Sequence, residues 1–193
     1  MAELGPSYIV GIGGSAGGLQ AYMALMDRLH PSTGMAFVII SHMVPTASSQ
    51  LASIMARHTK MPVAVAAQGM LMRPNHVYVT PPDTDLFVEG HAFKVVTPRV
   101  RRNNQVDLFF TSIAEGMGRR AIGIVMSGFG GDGAEGVMQI KAKGGTTFAQ
   151  DQSAQLEGMP LSAQATGCVD FVLPPDKMAD VLQDLGRTTR TSP

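Results

Sequence analysis

Short apolar runs alternate along this chain with segments whose apolar residues recur every three or four positions. The run at residues 35–41, MAFVIIS, is almost continuously apolar, which is typical of a strand buried on both faces of a parallel sheet. Before it, Leu19, Tyr22 and Met26 recur at helical spacing. This alternation predicts an α/β fold with a doubly wound, mostly parallel sheet and helices on both faces.

The same patterns divide the whole chain into elements. Strands are predicted at residues 7–12, 35–41, 62–66, 121–127, 146–150 and 169–173, and helices at residues 19–29, 50–59, 106–117, 134–143, 160–167 and from 174–175 onward. Three β-prone segments at residues 76–80, 85–89 and 92–97 predict an antiparallel β-hairpin added to the sheet. The polar residues 186–193 should form a frayed tail, which leaves one domain over residues 1–185.

Composition excludes several classes of function. Fifteen Lys and Arg balance fifteen Asp and Glu, so nothing in the net charge favours nucleic-acid binding. No apolar run approaches the roughly 20 residues that span a bilayer, and direct membrane insertion is not expected. Cys168 is the single cysteine, so an internal disulfide and a cysteine-based zinc site are both excluded, and a reducing, cytoplasmic location is expected.

The loop after the first predicted strand, GIGGSAGG at residues 11–18, allows two interpretations. Gly11, Gly13 and Ala16 approximate a dinucleotide fingerprint, in which glycines let the backbone approach a pyrophosphate. Ser15 also lies at the centre of G-x-S-x-G, in which a tight turn from strand to helix holds a serine hydroxyl outward. The spacing within the loop does not decide between a nucleotide site and a nucleophile.

His42, at the end of the second predicted strand, favours the nucleophile. A dinucleotide site needs an acidic residue about 20 positions after the glycines, and residues 34–50 contain none. The carboxyl ends of adjacent parallel strands line one crevice, so Ser15 and His42 are expected to meet there. The structural alternative is a glycine turn beside a packed histidine.

A Ser–His pair needs a carboxylate that fixes the imidazole tautomer, and two aspartates are candidates. Asp132 lies in SGFGGDG at residues 127–133, and Asp151 follows the strand at residues 146–150. Asp132 could equally cap the next helix, and Asp151 could be a turn residue. The order Ser, His, Asp differs from that of the α/β-hydrolases, so these residues indicate a chemistry rather than that superfamily.

Eight segments in order resemble the catalytic domain of the chemotaxis protein-glutamate methylesterases (CheB-type), especially the branch fused to methyltransferase modules. The similarity runs from Ile9 to about Leu185. The matching segments are VGIGGSAGG (10–18), ISHM (40–43), PNHVYV (74–79), VDLFFTS (106–112), SGFGGDG (127–133), AQD (149–151), GMP (158–160) and VDFVLP (169–174).

The resemblance implies a catalytic triad of Ser15, His42 and Asp132, and it selects Asp132 over Asp151. It also implies hydrolysis of γ-glutamyl methyl esters on methyl-accepting chemotaxis receptors to glutamate and methanol, with deamidation of receptor glutamines as a further activity. His42 would take the proton of Ser15, which attacks the ester carbonyl, while Asp132 stabilises the imidazolium. Such a mechanism requires no metal and no organic cofactor.

Backbone amides of the glycine-rich loops are the expected donors to the oxyanion. The candidate residues for this loop and for substrate contact are Gly14, Ala16, Gly17, Phe129 and Gly130. Ala16 stands where these enzymes commonly carry Thr, although the fused branch also shows Ala. Phe129 stands where many carry Met, and its ring is expected either to narrow the substrate pocket or to replace a Met contact.

The resemblance also implies partners besides the receptor. The phosphorylatable receiver domain that typically precedes this domain is not expected before Tyr8, so control through a longer protein or a separate partner is expected, with a methyltransferase as a second partner. The main alternative function is a non-catalytic module of the same fold that docks to a receptor or a signalling partner. A mononucleotide-binding domain that uses the glycine loop is a weaker alternative.

Overall fold

The computed structural model describes residues 5–42, 48–100 and 103–190. Within these residues the strands are β1 (Ile9–Gly14), β2 (Ala36–Ser41), β3 (Val63–Val65), β4 (His76–Val79), β5 (Asp85–Glu89), β6 (Ala92–Val96), β7 (Ala121–Val125), β8 (Thr146–Gln150) and β9 (Phe171–Leu173). The helices are α1 (Gly18–Arg28), α2 (Ser48–His58), α3 (Gln105–Met117), α4 (Ala134–Ala142), α5 (Gly158–Ala165) and α6 (Pro175–Arg190), with a 3-10 turn at Gly118–Arg120.

Seven strands form one parallel sheet in the order β3-β4-β2-β1-β7-β8-β9. The chain starts at the central strand β1, adds β2 and its neighbours on one side, and then adds β7 to β9 on the other. The prediction of a doubly wound parallel sheet is therefore confirmed. In such a sheet a crevice opens at the carboxyl ends of the strands where the winding reverses, here around β1.

Two separate cores cover the two faces of the sheet. Phe37 and Ile39 of β2 pack in the core that includes α1, α2 and α6, whereas Val38 and Ile40 pack in the core that includes α3, α4 and α5. All four side chains are buried. Successive residues of a strand point to opposite faces, and this explains why the run in β2 is continuously apolar.

The β-hairpin is present, but it does not extend the sheet. β5 and β6 pair with each other as a separate two-stranded antiparallel sheet, and β4 lies inside the parallel sheet between β2 and β3. The hairpin packs on α3, where the Ser112 hydroxyl accepts a hydrogen bond from the Val88 amide at 2.6 Å. The predicted antiparallel hairpin is therefore confirmed, whereas residues 76–80, which the pattern grouped with it, supply a strand of the parallel sheet.

The last helix also runs further than predicted. α6 continues through Gly186 to Arg190, so the frayed tail predicted from residue 186 begins inside a helix, and residues 191–193 lie outside the described residues. Asp184 supports this extension through an ion pair with Arg187 and a hydrogen bond from the Thr188 hydroxyl to its carbonyl oxygen. None of the helices in the described part of the chain is both long and apolar enough to span a bilayer.

Phe37→Ala should test the placement of the core. Because Phe37 is fully buried, the variant should lose about 3–5 kcal/mol of unfolding free energy, measured by urea denaturation. Phe129→Ala is the matched control, since that ring is exposed and its removal should change stability by less than about 0.5 kcal/mol. Equal losses in the two variants would contradict this description of the core.

Candidate active site

Ser15 and His42 lie at the carboxyl ends of neighbouring strands. Gly14 of β1 and Ser41 of β2 are register partners in the parallel sheet, and Ser15 and His42 are the residues that follow them. The His42 amide donates a hydrogen bond to the Gly14 carbonyl at 3.4 Å. Neighbouring strands are about 4.8 Å apart, so the sheet itself places the two side chains at adjacent positions.

The turn that carries Ser15 is tight and is anchored to the loop after β7. The Ser15 amide donates to the Ser127 carbonyl at 2.9 Å, and the Ser15 carbonyl accepts from the Gly18 amide at 3.0 Å. Gly17 has a φ of 78°, and a Cβ there would lie 2.6 Å from the Ser127 hydroxyl. A Cβ at Gly14 would overlap the hydroxyl of buried Tyr22. These glycines therefore serve close packing around the serine turn.

His42 and Asp132 form the central polar contact of the site. His42 Nε2 and Asp132 Oδ2 are 2.6 Å apart, and the two side chains are only 7% and 1% exposed. The other ring nitrogen, Nδ1, remains on the side away from the carboxylate. The contact predicted to link these two residues is thus present.

Two backbone amides also donate hydrogen bonds to the Asp132 carboxylate. Its Oδ2 also accepts the Val106 amide at 3.0 Å, and its Oδ1 accepts the Asp107 amide at 2.9 Å. Burial alone would raise the pKa of Asp132, but the hydrogen bonds from His42 and from these amides outweigh burial and lower the pKa below its usual value. Asp132 is therefore a carboxylate at neutral pH.

The structure separates the two candidate aspartates. Asp151 lies in the turn after β8, where its Oδ1 accepts the Ser153 amide at 3.0 Å and its own amide donates to Leu173. Its side chain thus serves a local turn, whereas Asp132 contacts His42. Ser15 follows the strand end next to that of His42, and in the described part of the chain its hydroxyl makes no hydrogen bond to His42.

Several backbone amides near Ser15 point to no acceptor. Among the described residues, the N–H groups of Ala16, Gly17, Phe129 and Gly130 have no hydrogen-bond acceptor in the protein. The amides of Ser15 and Gly128 are already used, by Ser127 and Leu156. Unpaired amides beside a serine hydroxyl are suited to stabilising an oxyanion.

Phe129 belongs to a loop that is packed directly against Ser15. A Cβ at Gly128 would lie 2.9 Å from the Ser15 Cβ, so this glycine allows the loop to touch the serine. The loop is held on its other side by Gly158, where a Cβ would lie 3.1 Å from the Gly130 amide. The ring of Phe129 is 68% exposed, so it stands at the surface next to the site.

Asp107 is a residue of the site that the sequence interpretation did not single out. Its Oδ1 accepts the amides of Gly133 and Gly136 at 2.9 and 2.7 Å. Burial raises the pKa of Asp107 to about 6, and the nearby Asp132 carboxylate adds to that effect. Two signals could have marked it: it lies in the matching segment VDLFFTS, and it is an acidic residue in the first turn of a predicted helix.

Metal-ligating side chains are not clustered in this region. Across the residues that the structure describes, no group of three or more His, Cys, Asp and Glu side chains is close enough to hold a metal ion. The chemistry that the arrangement supports is acyl transfer, because a serine and a histidine follow neighbouring strand ends, a buried carboxylate contacts the histidine, and amides near the serine are unpaired.

By its fold and its site, this protein belongs to the class of doubly wound α/β domains that carry Ser, His and Asp residues at the point where the winding of the sheet reverses. Residues 10–182 match the model of the CheB methylesterase family, and the chain belongs to that family. The crystal structure of the Thermotoga maritima CheB methylesterase catalytic domain superposes with a TM-score of 0.85 at 28% identity, covering 92% of this chain and 98% of that one.

Two relatives in sequence differ greatly in length. The chain is 34% identical to the protein-glutamate methylesterase/protein-glutamine glutaminase 2 of Burkholderia lata, covering 97% of this chain and 56% of that protein. It is 41% identical to an uncharacterized 104.1 kDa protein of Rhodobacter capsulatus, covering 69% of this chain and 14% of that protein. The chain thus spans about half the length of the first and a small part of the second.

The raised pKa of Asp107 predicts how stability depends on pH. The folded protein holds a proton on Asp107 up to about pH 6, whereas the unfolded chain releases it near 3.8, so this group's contribution to stability falls as pH rises between those values. Asp107→Asn removes this effect. In urea unfolding at pH 5 and pH 7, the variant should gain stability relative to the wild type at the higher pH. Parallel changes in the two proteins would contradict this assignment.

Proposed function

We propose that this chain is a serine-dependent protein-glutamate methylesterase that hydrolyses γ-glutamyl methyl esters on methyl-accepting chemotaxis receptors, releasing glutamate and methanol. The observation that carries the proposal is the 2.6 Å contact between His42 and buried Asp132, beside the strand end that bears Ser15. The Burkholderia relative, a protein-glutamate methylesterase/protein-glutamine glutaminase by name, supports the same substrate group. Ser15, His42 and Asp132 are the proposed nucleophile, base and orienting carboxylate.

The geometry specifies which histidine nitrogen would act. Asp132 accepts from Nε2, which fixes the neutral ring with its proton on Nε2 and its lone pair on Nδ1. Nδ1 would therefore take the Ser15 proton, and the hydrogen bond between them would form when substrate is bound. In the serine proteases the two nitrogens have the opposite roles.

The reaction would proceed through an acyl-enzyme. Ser15 Oγ attacks the ester carbonyl as its proton moves to His42, and the oxyanion is stabilised by the free amides of Ala16, Phe129 and Gly130. His42 then gives the proton to the departing methoxide, which leaves as methanol. Water attacks the acyl-enzyme with His42 again as base, and glutamate and free Ser15 are restored.

The same steps would deamidate a receptor glutamine, with ammonia as the leaving group. The name of the Burkholderia relative includes protein-glutamine glutaminase. Control by a phosphorelay through a receiver domain, cooperation with a methyltransferase and a cytoplasmic location are parts of this proposal. That relative is nearly twice as long as the region matched here, which leaves room for a further domain in that protein.

Substitution of Ser15 tests the proposed activity. Ser15→Ala and His42→Ala should each lower methanol release from methylated receptor by about 10³-fold or more, because the two groups act as one unit. Ser153→Ala, in the turn after β8, is the matched serine control and should keep wild-type activity.

A serine-directed phosphonate gives a second readout that does not depend on the substrate. It should label Ser15 in the wild type and fail to label His42→Ala. Equal hydrolysis by Ser15→Ala would remove the triad assignment. Receptor binding by the wild type without methanol release would instead support the non-catalytic docking module.

The exposed ring of Phe129 is proposed to contact the protein substrate. An exposed aromatic on a packed loop next to the reactive serine is typical of an anchor in a protein interface. Phe129→Ala should raise KM for methylated receptor about tenfold or more, while kcat/KM for a small activated ester changes less than about twofold. Leu71→Ala, at a similarly exposed residue elsewhere, is the control. Equal losses on both substrates would place the ring in the chemistry rather than in docking.

A further inference from the structure

We infer that Asp107 is a positioning residue for the proposed hydrolysis, which holds the Asp132 carboxylate in place and adds a second negative charge behind the His42–Asp132 pair. The inference rests on the proposed function. Asp107 makes no hydrogen bond to His42 in the described structure. The observations that support the inference are the hydrogen bonds that join the start of α3 to the start of α4.

Asp107 and Asp132 cap each other's helices. Asp132 accepts the amides of Val106 and Asp107, which belong to the first turn of α3. Asp107 accepts the amide of Gly133, immediately before α4, and that of Gly136 in its first turn. Amides at a helix start have no partner within the helix, and an oxygen from outside satisfies them. Neither aspartate can move without breaking hydrogen bonds to the other's helix.

Two glycines allow this close approach. Gly133 has a φ of 100°, and a Cβ there would lie 3.0 Å from Val125. A Cβ at Gly136 would lie 2.5 Å from the Phe110 Cβ of α3. Side chains at these positions would push α4 away from α3. Because both residues are glycines, their backbone amides can come within hydrogen-bonding distance of Asp107.

The negative charges of Asp107 and Asp132 are stabilised to different extents by their surroundings. Asp132 has His42 and two amides and remains ionised, while burial and the Asp132 charge raise the pKa of Asp107 to about 6. On its side away from Asp132, Asp107 lines a cavity of about 670 Å³, whose other charged residues are Glu89 and Lys94 of the hairpin, Glu115 of α3 and Glu135 of α4. Lys94 is paired with Glu89 at 2.7 Å, so the surroundings of Asp107 are mainly acidic.

The charge of Asp107 is expected to affect His42, the proposed base. When Asp107 is ionised, its charge favours the positive imidazolium that His42 becomes as it takes the Ser15 proton. When Asp107 is protonated, that contribution is lost. A helix cap without an electrostatic role would act equally at every pH, so the pH dependence distinguishes the two roles.

The test compares Asp107→Asn with the wild type in methanol release from methylated receptor between pH 5 and pH 8. Asn keeps an oxygen that can accept the Gly133 and Gly136 amides but carries no charge. The wild type should exceed the variant in kcat/KM by about tenfold at pH 8. The ratio should fall toward one at pH 5, with its midpoint near pH 6.

Asp176→Asn is the matched control. It removes an exposed carboxylate from the first turn of another helix, α6, and its ratio to the wild type should be the same at every pH. Asp107→Ser, which keeps a capping oxygen on a shorter side chain, is the second uncharged variant and should repeat the result if Asp107→Asn does not fold.

A readout without substrate separates this inference from the proposed function. In phosphonate labelling of Ser15, the wild type should react about tenfold faster than Asp107→Asn at pH 8 and at nearly the same rate at pH 5. A labelling ratio or an activity ratio that does not vary with pH would overturn the inference even if Ser15→Ala is inactive. If the wild type releases no methanol, the proposed function fails, and the labelling rates alone decide the role of Asp107.

Discussion

The buried carboxylate of Asp132 is the group on which the site depends. A charge that is 1% exposed is costly in a protein interior unless hydrogen bonds and an opposite partial charge compensate it. The start of α3 supplies two amides and the positive end of the helix dipole, and His42 supplies a ring N–H. One carboxylate thereby ties the end of β2, the start of α3 and the loop after β7 together.

The position of α3 explains how an aspartate from beyond β7 reaches a histidine at the end of β2. These strands lie on opposite sides of β1, so their ends are two strand spacings apart. A Cβ on Gly13 of β1 would overlap Val106 at the start of α3, which means that the helix begins directly over the central strand. By binding the α3 amides, Asp132 is drawn across β1 toward His42. The glycines of β1 and of its loop are needed for this packing, and this explains why they also resembled a nucleotide fingerprint.

The sequence predicted well those features that depend on local pattern. The continuous apolar run of β2 predicted a central strand because burial on both faces leaves no polar positions. The hairpin was recognised from its short β-prone segments, but its place on α3 depends on tertiary contacts such as Ser112 to Val88, which no local pattern reveals. The residues alone left both Asp132 and Asp151 as candidates, since each lies in a loop that follows a predicted strand. Asp107 was missed because nothing in the sequence shows that the starts of α3 and α4 meet.

The pair of aspartates also shows how stability and chemistry oppose each other at this site. Two carboxylates that share one buried region cannot both ionise without cost, and their pKa values are driven in opposite directions. A protein selected for stability alone would gain from a neutral residue at position 107, because Asn could accept the same amides. The negative charge brings a benefit only where a positive charge forms nearby, and in this region that charge can form on His42 when it accepts a proton. In the proposed mechanism, the charge of Asp107 is therefore useful when His42 holds the Ser15 proton, and at other stages it is a cost to stability.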